Sequence, residues 1–158
     1  TATSTGPKWH SVNTSVSPTP TEPTTLLAFN VPGGTLGLNG VIKIDVHGTL
    51  SAAGGSSTAS LKLFWNNVRL VTRSFANNST NLGTQSFSAT FYLYNRNSLS
   101  SQGMTEEFHS FSAASSTEFF SLNTATVNTA NSIPLKVEIE APTDTVTSEF
   151  ANVQIMNP

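Results

Sequence analysis

The chain has no cysteine in its 158 residues and very little charge: seven Lys or Arg and nine Asp or Glu, 10% of the whole. Soluble domains ordinarily carry about 25%. The missing cysteine excludes a disulfide scaffold and any Cys-based metal centre. The few cations, with a formal net charge of −2, argue against a nucleic-acid binder, which needs Lys and Arg to displace counterions. No run approaches about 18 consecutive apolar residues, so no membrane-spanning helix is expected. The interspersed Glu and Lys of helical surfaces are missing too. What is present is polar but uncharged. Ser and Thr make up roughly 28% and Asn roughly 9%, with 9% aromatics. Such a mixture suits pleated strands and the turns between them. At this length one domain is the default. It can bury about two thirds of its unfolded surface and so hold a real core.

The first residues show no basic segment followed by an apolar one, so no secretory signal is expected. A leading Thr1 is also what removal of an initiator Met would leave. Asn13-Thr14-Ser15, Asn77-Asn78-Ser79 and Asn78-Ser79-Thr80 match the glycosylation triplet, as chance alone produces in so Asn- and Ser-rich a chain. Residues 1–23 read as an arm. They contain Pro7, Pro18, Pro20 and Pro23, two charges (Lys8 and Glu22), and few apolar residues beyond Trp9, Val12 and Val16. Such a segment cannot bury enough surface to fold alone. Residues before proline are pushed out of the helical region, so Pro18 to Pro23 favours extension. It is either a solvated tail or an extended arm laid on a neighbour. In the second case Pro7, Trp9, Val12 and Val16 are the candidate partner-binding residues, with Trp9 the anchor.

From residue 24 to 158 the pattern alternates with period two, the signature of half-buried strands. Ile42, Ile44, Val46, Gly48 and Leu50 share one face of a strand, with Lys43, Asp45, His47 and Thr49 on the other. Leu61, Leu63 and Trp65 form the next apolar face. Asn66-Asn67 then offers a two-residue hairpin turn, since Asn tolerates positive φ. Phe87, Ala89, Phe91 and Leu93 oppose Ser88, Thr90, Tyr92 and Tyr94. Leu135, Val137 and Ile139 alternate with Lys136, Glu138 and Glu140. In the last strand, Val146 to Met156, the apolar parity shifts near Phe150 and Ala151, which predicts a bulge. Weaker strands are expected at Glu106 to Phe111 and Phe119 to Val127. Eight or nine strands with short turns predict an all-β, jelly-roll-like two-sheet antiparallel sandwich. An immunoglobulin-like sandwich is the alternative, although it usually has about seven strands.

Chemical constellations are sparse, and no catalytic residue, metal site or cofactor is expected. His10, His47 and His109 follow no local ligand spacing. The Glu106-Glu107 and Glu138/Glu140 pairs read as surface charge rather than as a glycosidase pair. There is no Gly-x-Ser-x-Gly elbow. The Gly-rich stretch Gly33 to Gly40 lacks the Lys-Ser/Thr ending of a phosphate loop. Phe119 and Phe120, adjacent in a strand, must point to opposite faces. Tyr92 and Tyr94 share an outward face. These four are the candidates for a subunit interface or a receptor face.

The segment Phe29-Asn30-Val31-Pro32-Gly33-Gly34-Thr35-Leu36-Gly37-Leu38-Asn39-Gly40-Val41-Ile42-Lys43-Ile44 resembles a recurrent stretch in structural proteins of tailed bacteriophages. There a strand ends in Ile/Val-Pro, a Thr-Leu-Gly-x-Asn-Gly loop follows, and the next strand begins Val/Leu-x-Ile. Leu61 to Trp65, Asn95-Arg96-Asn97, Leu135 to Ile139 and Val153-Gln154-Ile155 extend the resemblance over about residues 24–157; the arm matches nothing specific. The resemblance implies a β-sandwich virion component without catalytic residues, such as a capsid decoration (cement) protein, a head fibre or a tail appendage. For a decoration protein it implies a homo-oligomer, commonly a trimer, assembled in the host cytoplasm. Its partners would be the major capsid protein or other virion proteins, with no nucleic acid and no membrane. A receptor-binding appendage is the second expectation. A jelly-roll coat protein of a small virus is the third, although its arm would carry clustered Lys and Arg.

Overall fold

The computed structural model describes residues 8–12, 23–52, 57–77, 84–111, 116–141 and 144–156, which form ten strands. In chain order they are β1 (Lys8–Val12), β2 (Thr24–Val31), β3 (Val41–Ala52), β4 (Ser57–Trp65), β5 (Val68–Asn77), β6 (Thr84–Asn95), β7 (Gln102–Phe111), β8 (Ser116–Ala125), β9 (Ile133–Glu140) and β10 (Asp144–Met156). No helix occurs among the described residues. A large sheet has the order β1-β10-β3-β6-β7-β8 and a small one the order β2-β9-β4-β5. All their pairings are antiparallel. The two-sheet sandwich read from the alternating pattern is therefore the fold. The first strands close on the last, β3 on β10 and β4 on β9, which is its jelly-roll-like feature. The β4–β5 hairpin and the β6–β7–β8 meander each stay in one sheet.

Alternation dictates the core. Ile42, Ile44, Val46 and Leu50 of β3, Phe87, Ala89, Phe91 and Leu93 of β6, Leu61, Leu63 and Trp65 of β4, and Leu135, Val137 and Ile139 of β9 are all buried. Each large apolar side chain so removed from water is worth about 1.5–3 kcal/mol. Phe75 of the small sheet joins the layers, its ring centroid 4.9 Å from that of Phe108 and 6.0 Å from that of Phe87. Both sheets correct their parity with bulges. One lies between Ser148 and Phe150 in β10, where the sequence places it; another lies in β5, where Val71 faces Leu63 and Arg69 faces Phe64 and Leu70 is the extra residue.

The end of the sandwich that gathers residues 32–40, 96–101 and 126–132 is held by buried amides. The Asn95 amide donates to Gly37 O and, at 2.9 Å, to Thr129 Oγ1. Gln102 Nε2 donates to Asn95 Oδ1 and to Val127 O, each at 3.0 Å, and its Oε1 accepts from Val127 N at 2.9 Å. These side chains do for the loops what a ladder does for strands, pairing backbone groups that would otherwise be buried alone. Space there is tight: a Cβ on Gly40 would stand 1.8 Å from Leu36 O.

The arm differs from its expected boundary at residue 23. Lys8–Val12 joins the large sheet as its edge strand, Lys8 opposite Ile155 and Val12 opposite Ala151. This accounts for a tenth strand. The reason is the open edge of β10: without β1, its backbone groups at Ala151–Ile155 would have no strand partner on that side.

The β4–β5 connection is the Asn66-Asn67 turn, with φ of 52° and 62°, the type I′ geometry that matches strand twist. Asn reaches this region by local hydrogen bonding; a β-branched residue does not. Replacing Asn66 by Val is expected to lower stability by about 1–2 kcal/mol, read as a shift of the urea midpoint with unchanged slope, whereas Asn67→Gly is expected to be neutral or stabilising.

Candidate functional site

The two outer faces of the sandwich differ. On the small sheet, Lys62 pairs with Glu140, and Lys136 Nζ lies 2.6 Å from Glu138 Oε1 and 4.8 Å from the centroid of the Phe64 ring. Glu138 and Glu140 thus have the surface role that their alternation implies. A shallow depression of about 380 Å³ lies beside them, between Phe29, Asn67 and Pro134.

The outer face of the large sheet carries four of the six exposed large apolar side chains among the described residues; the other two are Leu38 in the 32–40 loop and Val68 of β5. Leu122 is 68% exposed, Phe111 49%, Phe150 39% and Tyr92 37%, and all four belong to this face by strand parity. Two histidines lie among them. The His47 ring stands 5.6 Å from that of Phe150, and the His109 ring stacks at 5.9 Å on Phe111. His109 Nε2 also lies 2.8 Å from Glu107 Oε1. Lys43 Nζ is 3.0 Å from Asp45 Oδ2, and Thr90 Oγ1 donates to Asp45 Oδ1 at 2.9 Å. The hydrogen bond that Lys43 donates to Asp45 raises the Lys43 pKa above its ordinary value, partial burial notwithstanding.

Register places Trp9, Tyr92, Tyr94 and Phe120 in rows of this face, whereas Val12 and Phe119 stand opposite the buried Ala151 and Phe108. One cross-strand row runs Trp9, Gln154, Lys43, Tyr92, Thr105, Leu122; the next runs Ser11, Asn152, Asp45, Thr90, Glu107, Phe120. Tyr94 is one step from Tyr92 along β6. It packs so closely on Gly103 that a Cβ there would meet its ring at 2.5 Å, so the glycine makes room for the ring. Phe119 pairs with Phe108 and Phe120 with Glu107. Val12 pairs with Ala151 in β1, while Pro7 and Val16 lie outside the described residues. Phe111, Leu122 and Phe150 are members of the face that the sequence did not mark. Counting parity from Met104 and Phe108 along β7 would have found Phe111. Leu122 sits in a Ser/Thr/Asn-rich strand with no readable alternation.

Glu106 is a correction. Grouped by sequence with surface carboxylates, it is buried between the sheets, because β7 turns Gln102, Met104, Glu106, Phe108 and Ser110 inward. Arg73 of β5 reaches it from the opposite sheet, Nη2 at 2.8 Å and Nε at 2.9 Å from Oε2, and Ser121 Oγ donates to the same oxygen at 2.7 Å. This pair fixes β7 beneath Thr105 and Glu107 of the outer face. No cluster of three metal-ligating side chains occurs among the described residues. The groups of the outer face can offer aromatic contact and hydrogen bonds to a partner surface.

No protein-family model matches the chain, and no curated protein does. Among solved structures, it is similar to dimeric latent PorU from Porphyromonas gingivalis, at 12% identity and a TM-score of 0.43 over 96% of this chain. The chain spans 13% of that protein's length, and a likeness at this level assigns no activity.

Removing one member of a buried ion pair strands the other's charge. Arg73→Met is expected to cost about 3 kcal/mol. The double variant Arg73→Met/Glu106→Leu is expected to regain most of that loss, measured by urea denaturation of all three proteins.

Proposed function

We propose that the chain is a non-enzymatic structural component of a bacteriophage virion, a capsid decoration protein that binds the head shell through its N-terminal segment and contacts between copies. The observation that carries the reading is the asymmetry of the sandwich. One outer face carries two Lys–Glu pairs, while the other presents Tyr92, Phe111, Leu122 and Phe150. The N-terminal strand lies in the sheet that owns that open face. A compact body with one uncovered face suits a protein held by many equal, modest contacts on a lattice, where repetition raises effective concentration. The low charge suits it as well, since such contacts change little with salt. The resemblance to phage structural proteins supports the same reading. Two of its segments touch: Asn95 of the Asn95-Arg96-Asn97 motif donates to Gly37 of the Thr35 to Gly40 loop. The partner is the major capsid protein, the functional unit is a homo-oligomer, in the first instance a trimer, and the location is the virion.

The exposed Tyr92 favours one alternative, a receptor-binding tail appendage that stacks host glycans on its aromatic rings. Quantitative mass spectrometry of purified virions separates the two. Hundreds of copies per particle are expected for decoration, and a few for an appendage; absence from virions overturns both. A chain lacking residues 1–23 is expected to keep a cooperative thermal transition and to lose binding to undecorated heads. Normal binding by that chain would remove the N-terminal segment from the function.

A further inference from the structure

We propose that β1 is an exchangeable strand: when copies are packed together, the Lys8–Val12 strand of one chain lies on β10 of another, in the same register it takes within a single chain. This goes beyond the decoration reading and does not rest on it.

Three observations carry the inference. First, the one ladder that β1 joins is that with Ala151–Ile155 of β10. No second strand flanks it, so it can leave without breaking another pairing. Second, the tether is longer than closure needs. Val12 stands opposite Ala151, and β2 starts at Thr24, opposite Ile139, at the end of the sandwich where β10 begins with Asp144. From Ala151 to Asp144 a strand rises about 23 Å. Extended, the chain from Val12 to Thr24 spans about 40 Å. Its Pro18, Pro20 and Pro23 favour extension over compaction. Third, the acceptor must be covered. Ala151, Val153 and Ile155 are buried core residues on a strand whose outer edge is bare without β1, and a bare edge is a template for pairing.

Exchange conserves every β1–β10 hydrogen bond, because donor and acceptor are the same sequences in both forms. The balance is then set by concentration. A tether of this length holds its own strand at an effective concentration of about millimolar. Dilute chains close on themselves, and chains crowded beyond that value exchange strands. Exchange around a closed ring gives a finite oligomer; unclosed exchange gives a chain of molecules.

The absence of native cysteine makes the test clean. Ser11 and Asn152 are facing partners in the antiparallel ladder, and facing Cα atoms lie within disulfide reach. In the Ser11→Cys/Asn152→Cys variant, oxidation in dilute solution is expected to give a disulfide-closed monomer, and oxidation in concentrated solution covalent dimers or larger rings on a non-reducing gel. A second variant removes the closed option. Deleting residues 16–23 leaves about 14 Å of chain between Val12 and Thr24, too short for closure. It is expected to be an oligomer by light scattering at concentrations where the full chain is a monomer, with a cooperative thermal transition retained. Monomeric cross-links at every concentration, no cross-link at all, or a shortened chain that stays monomeric would each overturn the proposal. None of these readouts involves a capsid, so failure here and failure of the decoration reading are separable.

Discussion

The sandwich rests on one constraint: each long strand must keep a single face apolar from end to end, because that face is the core. Where the constraint holds without interruption, as in β3, β6 and β9, the strand is straight in register and its inward residues are fully buried. Where it fails, the backbone gives way instead of the core. β10 has buried Val146 and Ser148 on one parity and buried Ala151, Val153 and Ile155 on the other, and the bulge between Ser148 and Phe150 reconciles them. A one-residue slip there would turn three core residues outward. That is worth several kcal/mol on the per-residue scale above, far more than one irregular ladder position. β5 makes the same trade at Leu70, opposite Leu63 and Phe64 of β4.

Having so few charges, the chain cannot protect all its surfaces with ions, and their placement is informative. Two Lys–Glu pairs serve the outer face of the small sheet. The Arg73–Glu106 pair, whose carboxylate is buried, ties the two sheets together. Among the described residues the large sheet keeps Lys43–Asp45 near its centre, and its aromatic side chains stay exposed around it. Exposed pairs such as Lys136–Glu138 add little stability. Their effect is to make the small sheet a poor apolar surface. The large sheet, by the same measure, is left available.

How much of this the sequence disclosed follows from the chemistry of each strand. β3, β6 and β9 are legible because strong hydrophobes alternate with polar residues. The Asn66-Asn67 turn is legible because few residues tolerate its backbone. The bulge in β10 is legible because a parity shift has no other economical explanation. β8 was only half legible, since a strand of Ser, Thr, Asn and Glu with scattered aromatics has little contrast between faces. Glu106 was misplaced because residue type outweighed parity: a carboxylate is rarely buried unless paired, and its partner Arg73 lies 33 residues away on the other sheet. The Asn95–Gln102 amide clamp left no local signal, because its partners are backbone atoms of three separate loops. Of the candidate face, Tyr92 and Tyr94 were legible as outward residues of one strand. Their alignment with the N-terminal segment was not, because strand order across a sheet is a tertiary fact.

That alignment changes how the N-terminal segment should be understood. Read as sequence, it is a tether attached to a body. In the fold, Trp9 falls in the same cross-strand row as Gln154, Lys43, Tyr92, Thr105 and Leu122, so this segment supplies one end of the open face. The N-terminal segment and the open face are then not independent parts. A chain whose β1 is displaced loses the end of the row as well as the cover on β10. If the completing strand belongs to a second copy, the whole face exists only in the assembled state.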